Sequence, residues 1–219
     1  MRIVAISDVH GEWSKIDFPP GDILVLAGDL LPDDFSMHAG RNADYQLPKL
    51  ESLNHFVGQL PYKHVLMIGG NHDWCLDIRK EQSRALMTRI KYLEDSGITI
   101  DGVRFYGSPW VPNLDGMAFF MPTAGRKDKW AAIPVETDVL ITHAPPHGIL
   151  DWHPKYEYLG CTALSHRLTE IKPQAHIFGH IHCAYGKREV GGIRYFNCAM
   201  MDEGYVPTNP PHVFDVNPK

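Results

Sequence analysis

Five short segments of this 219-residue sequence consist mainly of consecutive apolar residues rather than alternating apolar and polar ones. A strand with one solvent-facing side alternates apolar and polar residues, whereas a strand buried on both faces is apolar throughout. We therefore predict five strands in sheets that are covered by helices. The predicted strands are residues 2–7, 22–27, 63–68, 138–141 and 175–178.

Helical periodicity separates these strands along the chain. The segments with helical spacing of apolar residues are 47–60, 76–96 and 162–171. Two dipeptides, Asp101-Gly102 and Gly191-Gly192, are typical of tight hairpin turns. Buried strands that alternate with helices indicate an α/β fold. Because no linker is visible, we predict one domain spanning residues 1–219.

Every predicted strand is followed by side chains that can bind metal ions. In open α/β folds, ligand sites lie just beyond the carboxyl ends of the strands. A single aspartate at such a position is usually a turn residue or a helix cap, but core packing does not readily produce the joint pattern. The predicted metal ligands are Asp8, His10, Asp29, Asn71, His143, His180 and His182.

The number of ligands predicts two metal ions. Seven ligands exceed what one catalytic ion needs, because such an ion keeps a position open for water. Two divalent ions about 3.5–4 Å apart, bridged by a carboxylate, suit in-line attack of hydroxide on phosphorus. They would clamp phosphate oxygens, activate a water molecule and neutralise charge in the transition state. Ligands without thiolate favour manganese, iron or zinc over copper.

The four cysteines are scattered and are expected to be free thiols in a reducing compartment. Cys183 directly follows His182, which raises the alternative of a structural zinc site. The sequence lacks the paired spacing that closes such sites, so spacing alone does not support that alternative.

Overall charge and the first residues restrict the partners. The formal net charge is −5 and the pI is about 6.2, so we do not expect the chain to hold long nucleic acid through phosphate contacts. The first apolar segment is too short for a signal peptide or a membrane span. We therefore predict a cytoplasmic protein that acts on a small substrate and has no membrane partner.

Five motifs occur in an order that resembles the calcineurin-like metallophosphoesterase superfamily. They are D-V-H from Asp8, G-D at Asp29, G-N-H-D around Asn71, T-H at His143 and G-H-I-H ending at His182. The resemblance implies a four-layer α/β/β/α sandwich of two mixed β-sheets flanked by helices. It also implies that one ion is held by Asp8, His10, Asp29 and His182. The second ion would be held by Asp29, Asn71, His143 and His180, with Asp29 bridging.

The same resemblance implies catalytic roles for two further residues. His72 would face the leaving-group oxygen as a proton donor or transition-state stabiliser. Asp73 would orient His72, although a helix N-cap is an equally good explanation of this aspartate. Both explanations of Asp73 stay open.

Downstream motifs narrow the resemblance to the MPPED-type group of metallophosphodiesterases. They are Y-G-S-P-W from Tyr106, T-H-A-P-P-H-G from Thr142 and F-G-H-I-H-C-A-Y-G from Phe178. The resemblance implies hydrolysis of small phosphodiesters, cyclic nucleotides among them. The alternatives are a phosphomonoesterase, a nuclease with the same site, and a metal-binding protein without turnover.

Substrate contacts are harder to predict. Residues 32–46 follow Asp29 and form a predicted loop near the metals, from which Arg41 or Asn42 could touch substrate unless the loop is only solvated. Trp110 could stack a base or belong to the core, and His147 is expected to shape the pocket wall. A homodimer could form through the apolar residues 117–121, unless they are a buried loop.

Overall fold

The computed structural model describes residues 1–218 and confirms an α/β fold built from mixed sheets and helices. The strands are β1 (Arg2–Ile6), β2 (Ile23–Ala27), β3 (His64–Ile68), β4 (Ile90–Tyr92), β5 (Ser96–Ile100), β6 (Val103–Ser108), β7 (Val111–Pro112), β8 (Phe120–Met121), β9 (Val139–Thr142), β10 (Trp152–His153), β11 (Glu157–Tyr158), β12 (Ala175–Phe178), β13 (Gly186–Val190), β14 (Ile193–Asn197) and β15 (His212–Asp215). The helices are α1 (Ala39–Val57), α2 (Trp74–Ile78), α3 (Lys80–Leu86), α4 (Arg126–Ala131) and α5 (Thr162–Ile171).

Two mixed sheets form the centre of the molecule. The first has the order β15-β1-β2-β3-β4, with β15 antiparallel to β1 and the other pairs parallel. The second has the order β13-β14-β12-β9-β6-β5, parallel in the middle and antiparallel at each outer pair. Two small two-stranded sheets, β7-β8 and β10-β11, lie outside them.

The packing explains why the strand sequences are apolar without interruption. One face of each sheet contributes to a shared core, where Ile3 and Val25 of the first sheet pack with Ile141 of the second. The opposite face of the first sheet packs against α1 through residues such as Leu50. The outer face of the second sheet packs against α5 through residues such as Leu164. Successive residues of a strand therefore point into two different cores, and the four-layer sandwich is confirmed.

Helix α1 begins earlier than the sequence predicts. It starts at Ala39 rather than at residue 47, so the second half of the predicted loop 32–46 is helical. His38 caps the helix by accepting a hydrogen bond from the Arg41 amide, at 3.4 Å. Histidine is not among the usual N-cap residues, and Pro48 is typical of a first helical turn, so local signals did not show the true start.

The predicted helix over residues 76–96 is wrong. The chain instead forms the short helices α2 and α3, which meet at Arg79, and then enters β4. Residues 90–92 pair in parallel with β3, and the Leu93 amide donates to the Met67 carbonyl at 2.8 Å. Sheet pairing therefore outweighs local helical spacing here. Both predicted hairpins are present, as β5-β6 and β13-β14.

Two further findings concern surfaces. Ala118 and Phe119 have no exposed area, Met121 is buried, and Met117 and Phe120 are half-buried, so residues 117–121 do not form an exposed apolar patch. The predicted homodimer therefore loses its proposed interface and stays a prediction. Within residues 1–218, no helix is long and apolar enough to cross a membrane.

Candidate metal centre

The structure brings all seven predicted ligands together where strands of the two sheets end. Asp8 follows β1, Asp29 follows β2 and Asn71 follows β3, all in the first sheet. His143 follows β9 and His180 follows β12 in the second sheet. Parallel strands deliver their carboxyl ends to the same edge, which is why residues far apart in sequence meet here.

The ligands fall into two groups. Asp8, His10 and His182 offer ligand atoms that all lie within 4.8 Å of one another. The same holds for Asp29, His143 and His180. Asn71 adjoins the second group, because its Oδ1 lies 3.1 Å from His143 Nε2. The grouping agrees with the division between two ions that the family resemblance implies.

The backbone around these ligands is strained. Asp8, His10, Asp29 and His180 all have positive φ, at 53°, 43°, 54° and 72°. Each such residue costs on the order of 1 kcal/mol, and such outliers concentrate at functional sites. Gly179 supplies the close approach that the site needs, because a Cβ there would collide with the Ser7 hydroxyl and the Asp8 carboxylate.

Two observations show that the residues fit divalent cations. His10 Nε2 is buried and has no hydrogen-bond partner among the described residues. Asp8 and Asp29 are buried, and their ion-pair partners in the described chain are histidines, at 3.4 Å from His182 and 3.1 Å from His143. Buried carboxylates are stable only when their charge is compensated, and a free imidazole nitrogen beside them is a metal donor.

The pKa values of the histidines reflect the same electrostatics. Burial opposes the charged form of His143, but the adjoining Asp29 carboxylate raises its pKa to about 9. Burial likewise opposes charge on His182, while Asp8 raises its pKa to about 9. Burial lowers the pKa of His10 to about 4 and that of His180 to about 3. A cation could therefore take the place of the protons that partner the two carboxylates.

His72 contacts a different aspartate from the one that the sequence suggested. Its Nδ1 lies 2.8 Å from Asp33 Oδ2, and its backbone amide donates to Asp29 Oδ1 at 2.8 Å. The Asp33 side chain is only 5% exposed. Asp33 was not singled out from the sequence, although it lies in the segment after Asp29 that was expected to run near the metals.

Asp73 instead organises the backbone that carries Asp29. Its carboxylate accepts hydrogen bonds from the amides of Asp29 at 2.8 Å, Leu31 at 3.0 Å and Gly70 at 2.9 Å. It stands at the N-cap position of α2 but makes no capping hydrogen bond. Burial raises the pKa of Asp73 to about 7, helped by the nearby Asp29 charge. The interpretations as an orienting group for His72 and as a helix cap are therefore both corrected.

A pocket of about 590 Å³ opens over the two ligand groups. Its lining residues are Asp29, Asn71, His72, Asn113, Leu114, Met117, His153, Tyr156, Leu159, His180, Ile181, His182, Glu203 and Tyr205. Tyr205 was missed by sequence reasoning. Its ring centroid lies 4.8 Å from that of His10 and 5.5 Å from that of His182. It also has a positive φ of 59°, which is unusual for an aromatic residue.

The four predicted substrate contacts lie outside the lining of this pocket. Asn42 is buried and exchanges hydrogen bonds with the Asp34 backbone, at 2.8 and 3.0 Å. Trp110 donates to Asp95 at 2.8 Å, which supports its interpretation as a packing residue. His147 lies 3.7 Å from Asp151, and Arg41 is exposed on α1. The structure thus gives Asn42 and Trp110 a structural explanation.

Comparison with known proteins agrees with this site. The model of the calcineurin-like phosphoesterase family matches residues 1–184. The chain belongs to this family. It is 35% identical over 242 residues to metallophosphoesterase domain-containing protein 1 of Homo sapiens, covering 98% of this chain and 71% of that protein. It is 33% identical over 234 residues to a UPF0046 protein of Caenorhabditis elegans, covering 100% of this chain and 76% of that protein.

A solved structure with 18% sequence identity has a TM-score of 0.71 and covers 90% of this chain and 89% of its own. At that identity the likeness concerns the fold alone. Membership of the calcineurin-like phosphoesterases supports hydrolysis of phosphoric esters with divalent metal ions, and the two ligand groups are the candidate site for those ions.

Proposed function

We propose that this calcineurin-like phosphoesterase is a dinuclear phosphodiesterase acting on small molecules. The observation that carries the proposal is the pair of ligand groups at one pocket, with Asp29 in the second group and His72 beside it. Divalent manganese, iron or zinc ions bound there would supply charge for phosphate oxygens and acidify a water molecule. Asp8, His10 and His182 would hold one ion, Asn71, His143 and His180 the other, with Asp29 between them.

His72 is the proposed proton donor to the leaving oxygen. Its Nδ1 is engaged by Asp33, which leaves Nε2 as the ring nitrogen available to substrate in the pocket. The amide of His72 donates to Asp29 Oδ1, which holds the His72 backbone next to the carboxylate that is proposed to lie between the ions. Burial opposes protonation, but Asp29 and Asp33 raise the pKa of His72 above its ordinary value. A protonated imidazole beside the pocket suits a general acid.

The preference for diesters rests on the shape and charge of the pocket. A volume of about 590 Å³ exceeds the space that a phosphate group alone occupies. The apolar side chains of Leu114, Met117 and Leu159 offer a surface for the second ester substituent. The net charge of −5 gives no general field for long nucleic acid. Small diesters, including cyclic nucleotides, fit these properties better than a duplex.

The test compares bis(p-nitrophenyl) phosphate with p-nitrophenyl phosphate. Metal-free protein is refilled with Mn²⁺, Zn²⁺ or Fe²⁺, and the Asn71→Ala variant serves as the control for the site. We expect metal-dependent turnover that is faster with the diester and is lost in Asn71→Ala, whose fold is checked by circular dichroism. Faster monoester turnover would establish the phosphatase alternative, and turnover without metal would contradict the mechanism.

A further inference from the structure

A third cluster of metal-binding side chains lies at the rim of the pocket. His153 ends β10, Cys183 lies in the short 3-10 helix His182–Ala184, and Glu203 lies in the turn after β14. Their ligand atoms all lie within 4.8 Å of one another. His153 Nε2 is 3.2 Å from Glu203 Oε2. Three segments that are distant in sequence therefore converge on one point.

The chemistry of this cluster differs from that of the catalytic groups. Imidazole, thiolate and carboxylate are the three side-chain classes that bind zinc, and three protein ligands leave one position for water. Neither catalytic group contains a cysteine. Of the four cysteines, Cys75, Cys161 and Cys198 are buried, whereas Cys183 is exposed and accessible to an ion.

We propose that His153, Cys183 and Glu203 form a separate binding site for Zn²⁺, which we call the rim site. It is open on the solvent side, unlike the structural zinc site that sequence spacing failed to support. It does not depend on the proposed catalytic function, because none of its three residues belongs to either catalytic ligand group. Zn²⁺ would connect the β10-β11 hairpin to the turn that carries Tyr205.

The site is partly preorganised. The Cys183 amide donates to Glu203 Oε1 at 3.2 Å, which directs this carboxylate toward the thiol. Binding of Zn²⁺ costs free energy at His153, because its Nδ1 accepts a hydrogen bond from the Lys155 amide at 3.1 Å. Coordination through Nε2 moves the ring proton to Nδ1 and removes that bond. We therefore expect Zn²⁺ at the rim site to exchange more readily than it does from closed four-ligand sites.

Occupancy has a direct consequence for the pocket. His153 and Glu203 line it, together with Tyr156 and Tyr205. Tyr156 stacks on His153, with ring centroids 4.8 Å apart and an interplanar angle of 26°. An ion that fixes His153 to Glu203 would therefore restrict the movement of both tyrosines and of the opening between them.

The test uses Co²⁺ as a spectroscopic substitute for Zn²⁺. Metal-free protein comprising residues 1–219 is titrated with Co²⁺, and the near-ultraviolet charge-transfer band from thiolate to cobalt is followed. The catalytic groups have no thiolate, so the band reports the rim site alone. We expect the band in the wild type and in Asp29→Asn, and its loss in Cys183→Ser. His166→Gln, an exposed histidine on α5, is the matched control and should keep the band.

A second measurement follows the reaction of the exposed Cys183 thiol with a disulfide reagent. We expect Zn²⁺ to slow this reaction in the wild type, and Glu203→Gln or His153→Gln to need at least about tenfold more Zn²⁺ for the same protection. Absence of the cobalt band in the wild type would overturn the proposal, as would protection that is unchanged in both variants. Because Asp29→Asn is expected to disable only the proposed catalytic centre, a cobalt band in this variant would support the rim site even if the proposed function failed.

Discussion

Asp33 and Asp73 differ in role although both lie near His72. Asp33 contacts the imidazole, whereas Asp73 accepts amides of the backbone that carries Asp29. The sequence could not separate the two aspartates, because the neighbour of a histidine in sequence need not be its neighbour in space. The motif predicted that candidate ligands follow the strand ends, which is where the structure has these side chains, but it did not predict which loop carboxylate turns back toward the site.

Asp33→Asn is expected to lower kcat and leave metal content unchanged. The asparagine keeps the shape but removes the charge that favours protonated His72. The fall in kcat should be smaller than the roughly 10²–10⁴-fold that loss of a general acid causes. Steady-state kinetics and elemental analysis of the same preparation test this, with His72→Asn as the reference for complete loss. Loss of metal in Asp33→Asn would show that Asp33 supports the ligands and not the acid.

Asp73→Ala is expected to affect stability first. The change leaves several buried amides without an acceptor, and each unsatisfied group costs about 1–3 kcal/mol. We expect the free energy of unfolding to fall by at least about 3 kcal/mol in urea titrations of metal-free protein. Asp33→Asn is the matched comparison, and its free energy of unfolding should fall much less. Equal stability of the two variants would contradict the structural role of Asp73.

Tyr205→Gly separates strain from substrate contact. Glycine relieves the positive φ, which is worth up to about 1 kcal/mol, but the variant also loses the ring contacts with His10 and His182, so its free energy of unfolding should gain less than that of Lys172→Gly. Removal of the ring from the pocket should raise KM by about 3- to 10-fold, the equivalent of one aromatic contact. Lys172→Gly is the control, because Lys172 has a φ of 42° at the end of α5 and does not line the pocket. Unchanged KM in Tyr205→Gly would remove Tyr205 from substrate binding.

At the scale of elements, the five buried strands and the two hairpins were predictable, the other strands were not, and the helices were predictable only in part. Uninterrupted apolar segments marked the strands because both faces of each sheet are buried. Helix α5 was predicted from the local spacing of its apolar residues, and its predicted range of 162–171 matches the structure. The start of α1 was missed because its N-cap is a histidine, whereas the error at α2-α3 arose where the deciding contact is non-local, namely the pairing of β4 with β3. Periodicity carries no information about such a partner.

The junction between β12 and the site is predicted to tolerate no side chain. Gly179→Ala would place a methyl group against Ser7 and Asp8 where the two sheets meet. Overpacking of this kind costs about 1–3 kcal/mol, and displacement of Asp8 should also reduce metal content. Gly40→Ala is the control, since its added carbon meets only His38 at 3.5 Å within helix α1. Urea unfolding and metal analysis of both variants test the difference.

For the whole molecule, bound metal is expected to be a major source of stability. The site collects buried carboxylates and four residues with positive φ, which a cation would compensate. A ligand present at 100 times its Kd stabilises a native protein by about 2.7 kcal/mol. Chelation should therefore lower Tm, and Mn²⁺ should restore it in the wild type but less in Asp29→Asn. A Tm that does not respond to chelation would show that the fold carries this strain without metal.

The hydrogen bond from the His180 amide to Asp8 spans 172 residues of sequence. During synthesis at about 5–20 residues per second, Asp8 therefore leaves the ribosome roughly 10–35 s before this partner exists. The first sheet can form its parallel strands in that interval, but one side of the metal centre is still missing. We therefore expect metal loading to follow synthesis of residues up to His182, so that it depends on the ions present at that stage.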